Sequence, residues 1–504
     1  MVSLESSVLD EAALESGLAE MESARSWSPR VVSKLEALIR GDDERALFRV
    51  NPLKFGDQRD IDGDEAIDLF LHATNAGLFE MEWAIVCITC SNIFKSFRKL
   101  ERVDPHFACP LCNMENEATL DEFIQVMFTV SPAIRDIYLH HPERLTLEEL
   151  IFDYHHSQDI RAQYDGHTAS EIFRSWTIEL TYLEPEDSIS LDADVRRGPL
   201  ICRDPLFPDS IGFVPGPNAS PGELSVVVEL GSEGMTATDI EVSELVFETP
   251  IGNVTFPQIH MMSQASLSLQ VINRSTERRA LWVVHYPPID QVKTAKLEFD
   301  PVLTGKRLLT NSTFHLLFRA EMPPESEGLT VNDLTYLFTD LSGSTAMYDE
   351  IGDVTAYNLV RLHFEVLNRA VIDNGGVVVK TIGDAIMATF LEPSNAVAAA
   401  LEMMSSLDDF NRSMSASFEL KVGIHRGFSM AVNLNDRLDY FGQNVNIAAR
   451  TQQLSEVGVL ITADVADAPG VSEVLDGYEL APVSSPMKGV TEEIPVFKLS
   501  AVQT

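Results

Sequence analysis

The hydrophobic period of this sequence changes along the chain, and each change limits what the flanking segments can become. Residues 1 to about 80 read as helical: Asp64 is placed to cap a segment containing Ile67, Phe70, Leu71 and Thr74, and Gly77 to end it. A second helix is expected after Thr146, because Thr146 and Glu149 have capping-box spacing ahead of Leu150, Ile151 and Tyr154. Pro and Gly recur between residues 199 and 222, which reads as a loop-rich boundary. Beyond it the period is two. Leu224, Val226, Val228 and Leu230 alternate with Glu223, Ser225 and Glu229, and Leu267, Leu269 and Val271 repeat the pattern before Leu281 to Val284, so a small antiparallel β domain is expected. The polar run from Glu321 to Gly328 has linker composition. A strand at 334–338 follows, then a long amphipathic segment at 344–372 and two strands within 377–390. Next come a helix near 395–410, strands near 418–424 and 429–434, and a helix from about 444. Strands alternating with helices argue for an α/β layer on one sheet.

The expected fold class is therefore multidomain α+β. A mainly helical region over 1–198 carries a cysteine-bearing insert at about 85–115; a β-sandwich-like domain spans 199–320, a linker 321–330 and a C-terminal domain 331–504. A chain of 504 residues, 45% hydrophobic and 23% charged, has the composition of a soluble globular protein of two to four domains. Its 77 acidic side chains against 37 basic ones leave −40. The first 330 residues hold −27 of this and the remainder −13, so the acidity is not a tail. Such a surface excludes broad nucleic-acid binding, and a site for an anionic substrate would need metal ions and a few placed cations. No stretch approaches the ~20 apolar residues of a membrane-spanning helix, and the N-terminus is acidic with no apolar targeting core, so a cytoplasmic protein without membrane insertion is expected.

Four of five cysteines form two close pairs. Cys87-x2-Cys90 and Cys109-x2-Cys112, eighteen residues apart, have the spacing of a four-thiolate zinc site of zinc-ribbon type. Four thiolates leave no open coordination position, so such an ion would stabilise structure and not catalyse. A redox switch and four unrelated thiols are the competing readings. His106 could stand in for a cysteine, although a solvated loop histidine is the simpler reading, and Cys202 alone reads as a small buried hydrophobe.

The most informative chemistry lies toward the C-terminus. An acid closes the apolar run Leu334-Thr335-Tyr336-Leu337-Phe338-Thr339-Asp340, and the chain continues through Leu341, Ser342, Gly343, Ser344 and Thr345. A carboxylate beside the backbone N–H groups of a turn into a helix suits phosphate recognition, although Asp340 alone could simply cap the helix. Forty-four residues on, Gly383-Asp384 forms a tight turn between two apolar segments, in which Asp384 alone would be an ordinary turn residue. Brought to one sheet edge, two carboxylates would repel unless a divalent cation lay between them. The third segment runs from Asp439 to Arg450, where Asn446 and Arg450, four apart, project from one helix face.

These three segments, in this order, resemble the catalytic domain of the class III nucleotidyl cyclases, the adenylate and guanylate cyclase family, over about residues 331–500. The resemblance implies a ferredoxin-like βαββαβ core with active sites between two catalytic domains. Asp340 and Asp384 match aspartates that bind two Mg²⁺ or Mn²⁺ ions, with the Leu341 carbonyl as a further ligand. Lys380 and Asp439 match a purine-reading pair. Asn446 and Arg450 match residues that orient the ribose and stabilise charge on the α-phosphate, and Lys488 resembles a lysine that holds the outer phosphates. Gly343, Ser344 and Thr345 would receive the triphosphate. The family splits these roles between protomers, so a homodimer with two equivalent sites is expected.

Adenine presents an acceptor at N1 and a donor at N6, complementary to Lys380 and Asp439; guanine reverses both, so ATP is the expected substrate and 3′,5′-cyclic AMP the product. Cytosine shows adenine's edge, so a cyclase using CTP, or GTP, stays open, as does a non-catalytic zinc-ribbon and nucleotide-binding interaction protein. No G-x4-G-K-[ST] loop is present. The front half is similar to an uncharacterised N-terminal region of some bacterial cyclases and is expected to regulate, through a ligand or protein that the residues do not name.

Overall fold

In the computed structural model the described residues are 8–502, leaving out 89, 110, 112–114, 163–166, 207–208, 233, 239, 250–251, 288–296, 326–327, 343–350, 415, 455–456 and 484–493. The chain forms two compact units. The first comprises Met1–Arg98, Asp104–Ala118 and Glu122–Leu303; the second comprises Lys99–Val103, Thr119–Asp121 and Thr304–Thr504. Among the described residues no helix is long and apolar enough to cross a membrane.

The first unit begins with helices α1 (Glu11–Ala24), α2 (Val31–Arg40) and α3 (Gly63–Asn75). Asp62 caps α3, accepting from the backbone N–H groups of Asp64 and Glu65, so the cap lies two residues before the aspartate that the sequence pattern suggests. Gly77 leaves the helix at φ +75°, a region that glycine enters without a Cβ penalty. The chain then enters β1 (Phe79–Val86), which β2 (Ile93–Phe97) and β3 (Ile124–Val130) flank in an antiparallel sheet of order β2-β1-β3. The Thr146 and Glu149 capping box forms, with Thr146 N donating to Glu149 Oε2 at 2.8 Å and Glu149 N to Thr146 Oγ1 at 3.3 Å. The turn it opens, Glu149–Tyr154, is a π-helix and not the α-helix expected.

The second sheet of this unit holds β4 (Thr177–Leu183), β5 (Ser188–Asp194), β6 (Leu200–Asp204), β7 (Asp209–Gly231), β8 (Gly234–Ala237), β9 (Ser243–Thr249), β10 (Gly252–Asn273) and β11 (Arg279–His285). Its central path runs β9-β10-β7-β6-β11-β4, with β8 on β7 and β5 on β10. Two expectations change here. The Pro- and Gly-rich stretch at 199–222 is strand and not boundary loop: β7 passes through it, and its register slips between Pro215, Ser220 and Glu223. Proline cannot donate to a ladder, and such slips absorb it. The sheet is also not wholly antiparallel, because β7 and β10 run parallel, with Leu224 opposite Leu267 and Val228 opposite Val271. Alternation selects a buried face whichever way the partner strand runs.

The second unit orders its strands and helices as β12 (Leu329–Ser342), α4 (Asp353–Asp373), β13 (Val377–Ile382), β14 (Ala385–Phe390), α5 (Pro393–Met414) and β15 (Glu419–Asn433). After these come β16 (Leu438–Phe441), α6 (Gln443–Gln453), β17 (Gly458–Thr462), β18 (Tyr478–Val483) and β19 (Val496–Ala501). The sheet order is β13-β14-β12-β15-β17-β19-β18, with β16 on β15. Two strands expected near 418–424 and 429–434 are the single strand β15. The core joins Leu337, Leu367, Phe390, Met403, Leu420 and Ile461, drawn from the sheet and from α4 and α5.

Candidate functional site

Sheet register brings the two aspartates to one edge. Phe338 pairs with Met387 across β12 and β14, so the ladder, continued to the strand end, places Asp340 opposite Ala385, the residue after Asp384. Thr339 fastens this end, its Oγ1 accepting from Ile386 N at 3.0 Å. Gly383 makes the turn at φ +66°, where a Cβ would be strained. Asp340 is half-buried, and Lys421, its partner across β15, holds Nζ 3.6 Å from Oδ2. Asp384 Oδ2 is buried without a hydrogen-bond partner. A desolvated carboxylate oxygen with no donor is costly unless a cation meets it, and hard oxygen donors suit Mg²⁺ or Mn²⁺. The residues therefore fit the divalent ions that the sequence implies.

The purine-reading candidates meet within one chain. Lys380 Nζ lies 2.8 Å from Asp439 Oδ1 and 2.5 Å from Oδ2, although 59 residues separate them. Asp439 is buried on β16, and its Oδ1 also accepts from Tyr440 N at 2.8 Å. Lys380 carries three N–H donors, so one remains once two face the carboxylate. Gly442 leads from β16 into α6, whose buried face carries Val445, Ile447, Ala448, Thr451 and Gln452. The opposite face presents Asn446, exposed with Nδ2 donating to Gly442 O at 3.2 Å, and Arg450, half-buried. Helix α6 lies close on β15 because residue 423 is glycine: a Cβ there would stand 2.1 Å from Gln452 N.

Cys87, Cys90 and Cys109 converge in the first unit, with ligand atoms within 4.8 Å of one another. Cys90 Sγ and Cys109 Sγ are 3.5 Å apart, near the about 3.8 Å that two sulfurs keep around a tetrahedral zinc and far from the about 2 Å of a disulfide. Their donor set fits zinc. His106 is exposed and outside this cluster. Cys202 is fully buried and burial pushes its thiol up to about 12, the behaviour of a packing residue. Cys112, Gly343, Ser344, Thr345 and Lys488 lie outside the described residues.

Sequence reasoning singled out neither Lys421 nor His363. His363 is fully buried on α4, in the spacing of the apolar residues Val360, Leu367 and Ala370. A histidine inside an apolar helical stripe was the available signal. Burial pushes its imidazole down to about 4, and the Asp384 carboxylate pulls the other way. His425, also buried, steadies the start of α6: its Nε2 lies 3.1 Å from Asn444 Oδ1 and its Nδ1 2.8 Å from Thr462 Oγ1.

Known proteins divide the chain in the same way. Residues 18–316 match a family of unknown function, DUF5939, and residues 328–476 match the adenylate and guanylate cyclase catalytic domain. An adenylate cyclase of Anabaena cylindrica is 30% identical over 185 residues, covering 33% of this chain and 37% of its own length. The terminal-differentiation-specific adenylate cyclase of Dictyostelium discoideum is 33% identical over 184 residues, covering 33% of this chain and 8% of its own. The chain thus spans only about a third of the first relative and less than a tenth of the second. The adenylyl cyclase CyaB from P. aeruginosa superposes with a TM-score of 0.32 at 20% identity, covering 35% of this chain and 97% of that one. The guanylate cyclase domain of RhGC from Catenaria anguillulae, in complex with GTP, gives 0.31 at 18%, covering 34% and 99%. With more than half its length in the first match, the chain belongs to the DUF5939 family, followed at its C-terminus by an adenylate and guanylate cyclase catalytic domain.

Proposed function

We propose that the protein is an adenylate cyclase that converts ATP to 3′,5′-cyclic AMP and pyrophosphate at sites shared by two copies of the chain. The observation that carries this reading is the Lys380 and Asp439 pair, assembled at 2.8 Å beside an edge bearing two aspartates. The order βαββαβ, with the second, third, first and fourth strands adjacent in that sequence, supports a ferredoxin-like core. Asp340 and Asp384 would hold Mg²⁺ or Mn²⁺, with the Leu341 carbonyl beside them. Bound there, the ions would lower the pKa of the ribose 3′-hydroxyl and neutralise charge on the triphosphate.

The chain's own residues do the rest. The free N–H of Lys380 donates to adenine N1, and Asp439 accepts from the N6 amino group. Asn446 orients the ribose, whose hydroxyl is already tethered to the phosphate it attacks. Arg450 offers fixed donors to the α-phosphate oxygens as charge shifts; loss of one such donor commonly costs on the order of 10²–10³ in rate. Gly343, Ser344 and Thr345 would cradle the triphosphate and Lys488 its outer phosphates. Zinc on the four cysteines would fasten the first unit, and the first unit would regulate. Segments on either side of the second cysteine pair support that last point: Lys99–Val103 and Thr119–Asp121 fold as part of the catalytic unit. There Asp121 pairs with Lys306 at 2.5 Å and accepts from Asn332 N at 2.6 Å, while Leu120 N donates to Thr330 O at 2.9 Å. The start of β12 is thereby gripped, and its far end carries Asp340.

The test is cyclic-nucleotide formation from ATP, CTP, GTP and UTP with Mg²⁺ or Mn²⁺. ATP should be turned over at ~10⁴ times the efficiency of GTP, since GTP leaves both Lys380 and Asp439 mispaired. Exchange Lys380→Glu should lower ATP turnover by orders of magnitude; full ATP cyclisation by that variant would overturn the assignment. CTP is the second reading, because cytosine offers the same acceptor and donor as adenine.

A further inference from the structure

His363 is the one histidine of α4, and nothing in the mechanism uses it. Its side chain is fully buried, yet both ring nitrogens lack a hydrogen-bond partner. A neutral imidazole must bury one N–H and one lone pair, and leaving both unmet is rare in a folded protein. The ring stands edge-on to Phe418 at 5.6 Å and near Phe364 at 5.9 Å, and neither phenylalanine can accept as a carboxylate does.

Phe418 locates the ring within the fold. It directly precedes β15, whose first residue, Glu419, pairs with Ser342, and whose third, Lys421, pairs with Asp340. The imidazole therefore lies under the end of the sheet where the aspartates emerge. Among the described residues Asp384 is the charged group whose field reaches it. Asp384 has the complementary deficit: its Oδ2 is buried and receives no donor. An unmet acceptor and an unmet donor thus face one another across the floor of the candidate cation site.

We infer that His363 is a positioning residue for the divalent-cation site, its ring N–H donating to the inner oxygen of Asp384 so that the other carboxylate oxygen is presented to the ion. The inference rests on the reading of Asp340 and Asp384 as cation ligands. Carboxylates that bind metals are commonly fixed by such outer hydrogen bonds, whose loss weakens metal binding ~10–100-fold. His363 touches neither nucleotide nor metal, so its effect is exerted wholly through the orientation of Asp384.

The experiment measures Mn²⁺ affinity of the full chain without nucleotide, by the electron paramagnetic resonance signal of free Mn²⁺, alongside thermal melting. Wild-type protein should show a site that Asp384→Ala removes; if no such site exists, the cation reading itself fails, separately from the inference. His363→Phe should bind Mn²⁺ ~10–100-fold more weakly. It should melt no lower than wild type, because an unsatisfied buried polar group has been replaced by an apolar ring. His363→Gln, which keeps an N–H at similar reach, should recover affinity to within about threefold. An unchanged Mn²⁺ affinity in His363→Phe overturns the inference, as does equal weakening in Phe and Gln variants. The unsubstituted protein supplies a second readout should a variant fail to fold. In ¹⁵N-histidine spectra, Mg²⁺ should shift the His363 ring nitrogens and slow exchange of the ring N–H, and an unmoved signal at Mg²⁺ saturation also overturns it.

Discussion

His156 shows how burial of one side chain becomes a pH dependence. The residue is 2% exposed, its ring lies 5.8 Å from Phe152 and 6.1 Å from Trp282, and its Nδ1 meets Ile151 O at 2.7 Å. Desolvation pushes it down to about 4 from the ordinary 6.5. The unfolded chain takes up a proton near 6.5 and the folded chain resists until about 4, so stability is retained above 6.5 and falls as pH drops between those values. The expected loss between pH 7 and pH 5 is about 2 kcal/mol from this residue. Denaturant unfolding of the wild type and of His156→Gln at both pH values checks it. The variant should lose correspondingly less, and parallel losses would contradict the burial argument. Other histidines pushed down by burial, among them His363 and His425, add slope to both proteins and cancel in the difference.

Elements were legible where turn chemistry and period agreed. Gly383 and Asp384 separate two apolar runs, and β13 and β14 lie on either side of them as expected. Helix α5 spans Pro393–Met414, slightly beyond the range its apolar spacing suggests. Gly427 and Phe428 suggested a break that β15 does not make, because strand pairing with β12 overrides local preference. Likewise the prolines of β7 read as loop until a partner strand and slipped register accommodate them. Pairing direction, as for β7 with β10, leaves no trace in alternation. Site residues split along the same line. Asp340 and Asp384 could be linked by a metal argument, whereas Lys380 and Asp439 were joined only through resemblance, since the 59 residues between them carry no periodic signal. The cysteine hairpins were legible from spacing alone. Metal analysis of purified protein should give about one Zn²⁺ per chain. Its removal by a chelator, or exchange Cys90→Ser, should lower the melting temperature; a metal-free protein melting as before would exclude a structural ion.

At the scale of the whole molecule, a charge of −40 makes the few placed cations decisive. Lys380 and Arg450 are drawn to one region of a unit whose surface otherwise repels a triphosphate. In the proposed homodimer each chain contributes aspartates to one site and Lys380, Asp439, Asn446 and Arg450 to the other, so neither set works within its own protomer. Regulation by the first unit then needs no contact with nucleotide. A change in how two copies approach each other suffices, and the grip of Leu120 and Asp121 on the start of β12 offers a route from the cysteine-bearing region. The most direct measurement combines two inactive chains, Asp340→Ala and Arg450→Ala, by co-expression and assays cyclic AMP formation. Random pairing leaves half the dimers mixed, each with one intact site, so about a quarter of wild-type activity should return. Mixed dimers that form and remain inactive would contradict the account.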